Sequence, residues 1–159
     1  IKQLFNDVDW GDLDYLLVDL PPGTGDIQLS LCQSLTLKGA VIVSTPQEIS
    51  LIDVRKSINM FKKVNVPIIG IIQNMSFFES DGRKNYIFGK DGVSLEAKKQ
   101  NLNLLGEIPI LPKISESGDK GKPLTFDQKS EVFKIFEKIA QKTIDAANKI
   151  KIKEVDISS

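Results

Sequence analysis

The chain contains no histidine and one cysteine, Cys32. Without histidine, neither a Ser-His-Asp nor a Cys-His catalytic arrangement is available within it, and a histidine-rich zinc site is excluded. A lone cysteine cannot form an internal disulfide, which points to a reducing, cytoplasmic compartment. Net charge is also lacking, because 21 basic and 21 acidic side chains cancel. Neither a basic footprint for nucleic acid nor a broad attraction to anionic membrane lipid is therefore expected. Apolar runs are short, as at residues 41–43 and 68–72, against the roughly 20 residues that a bilayer-crossing helix needs. Residues 1–9 mix charged and apolar groups and hold no hydrophobic stretch of signal-peptide type. There is no initiator methionine, and the opening residues read as the last turns of a helix. The chain is accordingly expected to be a piece of a longer protein.

What is present suits one ordinary domain. At 159 residues, with 41% hydrophobic and 26% charged side chains, the chain can bury one core and stay dissolved. Four apolar runs read as buried strands: residues 14–20 (DYLLVDL), 39–45 (GAVIVST), 66–73 (VPIIGIIQ) and 104–108 (LLGEI). Continuous rather than alternating hydrophobicity means that both faces are covered, as in a parallel sheet flanked by helices. Between the runs lie helical patterns. Leu51, Val54, Ile58, Phe61 and Val64 share one face, and residues 28–37 and 96–101 are shorter helices. The longest stripe is the last, from Val132 and Phe136 through Ile139 to Ala147. The fold class is therefore α/β, a partial doubly wound parallel sheet. One domain is expected over residues 1–150, with a loose tail at 151–159. Residues 79–84 (ESDGRK) and 114–123 (ISESGDKGKP) read as loops.

Chemistry concentrates in residues 14–26, DYLLVDLPPGTGD. An aspartate at the carboxyl end of a buried parallel strand sits where open α/β sheets place ligands. A glycine loop follows at once, and only a residue without Cβ lets the backbone approach a phosphate closely. In nucleotide hydrolases this is the Walker B strand running into a switch loop, the carboxylate holding magnesium through its bound water.

Four segments, DLPPGTGDIQLSL, GAVIVSTPQEISLIDVRKSINMFKKVNVPIIGIIQNMSFF, YIFGKDG and GEIPILPKISESGDKGKP, follow one another in an order that resembles the Mrp-type nucleotide-binding proteins. These are ATP-dependent iron–sulfur cluster carriers of the deviant Walker class, and the likeness covers nearly the whole chain. It implies a P-loop NTPase-like fold, with ATP and Mg²⁺ as cofactors. Asp19 becomes the magnesium-associated carboxylate, Gly23 the γ-phosphate contact and Asp26 the residue closing the switch loop. Asn74 matches the asparagine that hydrogen-bonds adenine, and the loop beginning at Pro109 lines the other side of the base. An amide offers both donor and acceptor to a purine edge. Asp53 matches an acid that, in related dimeric ATPases, pairs with a P-loop lysine across the dimer. A first-turn acid favoured by the helix dipole explains it equally well. Arg55 and Lys56 read as solvated-face residues and Cys32 as a small core residue. The family also implies a homodimer, with iron–sulfur client or scaffold proteins as partners.

Two features depart from that family. Its glycine-rich phosphate loop with two lysines is nowhere in these residues; Lys38-Gly39 and Lys120-Gly121 do not follow a strand and open a helix. Phosphate positioning supplies nearly all of such catalysis, so these residues alone are expected not to hydrolyse ATP and to bind it weakly or not at all. In this fold class the missing strand lies between residues 14–20 and 39–45. Those two strands would then either close on each other or leave unpaired edges for another piece of chain. Second, the Cys-x-x-Cys that many members carry after Asn-Met-Ser is replaced at residues 74–82 by NMSFFESDG. Thiolates are what hold iron–sulfur clusters, so a cluster ligated by this chain is not expected.

The leading expectation is an ATP-binding and hydrolysing iron–sulfur cluster assembly or carrier protein, lacking here the phosphate loop and the cluster ligands. A non-catalytic remnant or interaction module of the same fold is the alternative. A further one is a partitioning or cell-division ATPase related to MinD and ParA. Lys149, Lys151 and Lys153 would suit membrane contact, but Ile150 and Ile152 are too few for an amphipathic anchor.

Overall fold

The computed structural model describes residue 5 and residues 7–20 and 25–151. Its regular elements begin with α1 (Asp26–Ser34), β1 (Ala40–Ser44), α2 (Glu48–Lys63) and β2 (Ile68–Gln73). A small hairpin follows, β3 (Phe78–Ser80) and β4 (Arg83–Asn85), then α3 (Gly92–Gln100) and β5 (Leu104–Glu107). The described chain ends in α4 (Pro112–Asp119), a 3-10 turn (Leu124–Phe126) and α5 (Glu131–Asn148).

Strands β1, β2 and β5 form one parallel sheet in the order β1-β2-β5. Parallel neighbours need long crossovers, and the helices α2 and α3 provide them. Ala40 opposes Ile68, yet Val41 opposes Gly70. The extra residue re-phases the side-chain alternation of β2. As a result Ile69 and Ile72 pack with Leu105, Ile139 and Ala147 beneath α5, while Ile71 points the other way. On that opposite face Ile71 joins Ile42, Val54, Ile58, Phe61, Val93 and Ala97 under α2 and α3. Helices thus cover both faces of β2, which is why its sequence is continuously apolar. Gly106 lets α5 sit directly on β5, since a Cβ there would collide with the Ile139 side chain. The α5 helix starts at Ser130, whose hydroxyl accepts from the Phe133 N–H at 3.0 Å. Among the described residues no helix is long and apolar enough to cross a membrane.

Three expectations are corrected. Residues 14–20 form no strand; they are irregular and, except for half-buried Leu20, exposed, Leu17 at 88%. A parallel strand takes its hydrogen bonds from a neighbour rather than from its own side chains. Within the described chain these residues have no such neighbour, and β1 is paired on one side only. The alternative in which this segment closes directly on β1 is therefore not realised. Residues 79–84 are a hairpin rather than a loop, turning at Asp81 and Gly82, both left-handed at φ 53° and 68°. Asp-Gly is the turn pair such two-residue hairpins favour. Residues 114–123 begin inside α4, whose Pro112 occupies the first turn, where its missing N–H costs nothing.

Replacing Ile58, which is fully buried, by alanine is expected to cost about 2–5 kcal/mol by chemical denaturation. The same change at exposed Leu17 is expected to alter stability by no more than about 0.5 kcal/mol.

Candidate functional site

The three strands end together at Ser44, Gln73 and Glu107, and the residues that follow them build the carboxyl edge of the sheet. Open parallel sheets bind their ligands at such an edge. Asn74 donates its backbone N–H to the Ser44 carbonyl at 2.8 Å, which ties it to β1. Its side-chain oxygen accepts from the Met75 N–H at 2.9 Å and supports the left-handed Met75, φ 53°. The Asn74 Nδ2 group has no hydrogen-bond partner among the described residues.

Beyond Asn74 the chain runs beside the segment that follows β5. Ile108 N–H donates to the Gln73 carbonyl at 2.8 Å, and the Ser76 N–H and hydroxyl donate to the Ile108 carbonyl at 2.9 and 3.0 Å. Ile110 N–H then reaches the Phe77 carbonyl at 2.7 Å. Ser76 is buried despite its hydroxyl, because that hydroxyl is satisfied here. The two base-side residues expected from sequence, Asn74 and Pro109, are therefore brought onto adjoining, mutually bonded segments.

The third wall is the loop before α3. Gly92 meets the Pro46 carbonyl so closely that any Cβ would overlap it. The preceding Asp91 is left-handed at φ 61°. Beside this loop, Phe77 and Tyr86 make an edge-on contact with centroids 6.3 Å apart, and the Lys84 ammonium lies 4.1 Å from the Phe77 ring. A surface hollow of about 360 Å³ lies at the hairpin tip, lined by Ser80, Asp81, Arg83 and Asn85. Another of about 370 Å³, with Leu105, Ile135 and Ile139 among its walls, opens between β5 and α5. Neither of these hollows touches Asn74 or Pro109, which are both half-buried.

The switch side is less assembled. Asp19 is exposed and has no hydrogen-bond or ion-pair partner among the described residues. Asp26 is exposed in the first turn of α1, behind the extended Gly25. Gly23 lies outside the described residues. Asp53 is exposed and pairs with Lys56 of its own helix at 3.0 Å, a surface contact of small energetic weight. Among the described residues no group of three or more histidine, cysteine or carboxylate side chains could hold a metal ion. One carboxylate is nevertheless compatible with magnesium, which keeps several waters and completes its shell on phosphate. An iron–sulfur cluster does not fit these residues. Cys32 is in the core, and burial pushes its thiol up, away from the thiolate a cluster needs.

Arg55 is not merely a solvated-face residue. Its guanidinium clamps Glu48 at 2.7 Å and the buried Glu96 at 2.9 and 3.1 Å, bolting α2 to α3. Gln100 completes the set by donating to Glu96 at 3.0 Å. The bonds from Arg55 hold the Glu96 carboxyl below the ordinary value and outweigh the opposing effect of burial; Gln100 adds to them. Its partner is 41 positions away, a separation that no local pattern reveals.

A protein-family description, ParA: NUBPL iron-transfer P-loop NTPase, matches residues 1–144. The iron–sulfur cluster transfer protein NUBPL of Mus musculus is 51% identical over 130 residues, covering 80% of this chain and 41% of that protein. The iron–sulfur cluster carrier protein of Aquifex aeolicus is 50% identical over 135 residues, 83% of this chain and 37% of its own. The chain thus spans about two-fifths of the length of these curated relatives. Among solved structures, a nucleotide-binding protein in complex with ADP from Archaeoglobus fulgidus superposes with a TM-score of 0.72 at 39% identity. That match covers 85% of this chain and 56% of the other. The cell division ATPase MinD of Pyrococcus furiosus superposes with a TM-score of 0.53 at 25% identity, covering 68% and 43%.

Because Glu96 titrates lower when folded than when unfolded, its contribution is complete above its ordinary value of 4.5 and is lost as the pH falls below it. Denaturation midpoints are expected to drop more steeply below about pH 4.5 in the native protein than in Glu96→Gln. Superimposable pH profiles would contradict this role.

Proposed function

The chain belongs to the NUBPL iron-transfer P-loop NTPase family, and we propose that it supplies the switch loop and the base-binding edge of an ATP-dependent iron–sulfur cluster carrier. One observation carries the proposal. The segments of Asn74 and Pro109 are laced together at the carboxyl edge of the sheet, with the Asn74 Nδ2 group unbonded among the described residues. A purine edge presents acceptors and donors that such an amide can match, and the Pro109 segment would cover the base from the other side.

In this reading Asp19 would hold magnesium, and its exposed carboxylate, without a partner among the described residues, suits that task. Gly23 offers its N–H to the γ-phosphate, and Asp26 closes the switch loop onto α1. Magnesium supplies charge neutralisation along the phosphates when bound. Asp53 meets a phosphate-loop lysine of a second copy by exchanging its weak contact with Lys56. The phosphate loop itself is not among these residues, so they contribute to hydrolysis only together with it. ATP binding and hydrolysis would then reorder the loop of residues 21–26 and change the surface offered to client or scaffold proteins.

The cluster is cargo, and its ligands lie outside this chain's own side chains, since its one cysteine is buried. One domain is proposed over residues 1–150, the tail expected at 151–159 lies outside the described residues beyond 151, and the intact protein is proposed to be a homodimer in a reducing compartment.

In the full-length protein, Mg²⁺-dependent ATP hydrolysis is expected, and Asp19→Ala is expected to lower it by about 10²-fold or more. Asn74→Ala is expected to weaken ATP binding about tenfold in calorimetry, as for one lost hydrogen-bonding group in a protected site. Full activity in Asp19→Ala would remove the switch assignment. Failure of the full-length protein to bind ATP would favour the interaction module.

A further inference from the structure

Gln73 is the last residue of the central strand and is 1% exposed. Its amide bridges two different elements, the first turn of α3 and the end of β5. The side-chain oxygen accepts from the Val93 N–H at 3.3 Å, and the side-chain nitrogen donates to the Glu107 carboxylate at 3.2 Å. Val93 stands in the first turn of α3, where N–H groups have no partner inside the helix. The residue in the capping position, Asp91, makes no side-chain capping bond. Gln73 therefore caps α3 from another element, 20 positions away. Its backbone carbonyl meanwhile holds Ile108, directly before Pro109. One residue thus fixes the loop leading into α3 and the loop after β5, and it immediately precedes Asn74.

We propose that Gln73 is a positioning residue for nucleobase selection: its buried amide bridges Val93 and Glu107 and sets the spacing of the two loops that flank Asn74. The proposal rests on the base-site reading above. A buried amide that loses either partner leaves an unsatisfied polar group, so the bridge has few alternative arrangements. The Asn74 amide is then held in one place, and selection between purines follows from whether the donor and acceptor groups of the base edge match it there. Gln73 itself makes no contact with the base.

The test is the ratio of ATP to GTP affinity in the full-length protein, measured by competition against a fluorescent ATP analogue. A ratio is insensitive to the fraction of protein that is folded. Asn74→Ala is expected to abolish the preference for ATP. Gln73→Leu, which removes both bonds, and Gln73→Glu, which sets two carboxylates together, are each expected to reduce it by about tenfold. The exchange Gln73→Glu with Glu107→Gln restores a donor facing a carboxylate and leaves the Val93 bond in place. It is expected to return the ratio to within about threefold of the native value. If Gln73→Leu and Gln73→Glu keep the native ratio while Asn74→Ala loses it, Gln73 has no positioning role and the base site stands. If Asn74→Ala also keeps it, the base site is elsewhere and both readings fall. Should Gln73→Leu not fold, the exchange decides: a folded double variant without the ATP preference overturns the proposal.

Discussion

Strand β2 is hydrogen-bonded along both edges, to β1 from Ala40 and Ile68 onward and to β5 from Ile71 and Leu104 onward. It is also covered on both faces, by α2 and α3 on one side and α5 on the other. Two-sided pairing fixes where its carboxyl end lies relative to Ser44 and Glu107. Four hydrogen bonds at the candidate site start from that point: Asn74 to Ser44, Gln73 to Ile108, and the Gln73 amide to Val93 and Glu107. By contrast, residues 14–20 have comparable apolar content but no neighbour among the described residues, and they remain irregular. Hydrophobicity makes a segment eligible to be a strand; a paired backbone makes it one.

That contrast explains how much could be read from the sequence. The runs at residues 39–45, 66–73 and 104–108 are legible as strands because each has a paired neighbour among the described residues. Helix α5 was legible from its stripe, and Cys32 was rightly placed in the core. The turn at Asp81-Gly82 is legible in residues 79–84, but the flanking strands are only three residues each and carry no apolar alternation. Helix α4 was hidden by its serine and glycine content, which weakens any apolar periodicity. Asn74 and Pro109 were legible only through family resemblance, since nothing local says that residues 35 positions apart share a hydrogen-bonded seam. Arg55, Glu96 and Gln73 were not legible at all. Their roles come from contacts between elements, and a lone polar residue in an apolar segment does not announce its partner.

On the proposed reading the nucleotide site divides its labour. Asn74 and Pro109, proposed for the base side, sit on segments hydrogen-bonded to one another at the sheet edge, with the Asn74 Nδ2 group unbonded among the described residues. Asp19 and Asp26, proposed for the switch side, are exposed, as suits a loop that would change with the state of a phosphate. Cargo would be held elsewhere than at Cys32, whose thiol is buried.

The measurement that bears most directly on the central claim is a crystal structure of the full-length protein with Mg²⁺ and ADP. The account predicts adenine at the carboxyl edge of the sheet, hydrogen-bonded by the Asn74 amide and covered by the segment beginning at Pro109. Adenine bound away from Asn74, or nucleotide absent from this edge while present elsewhere in the protein, would contradict it.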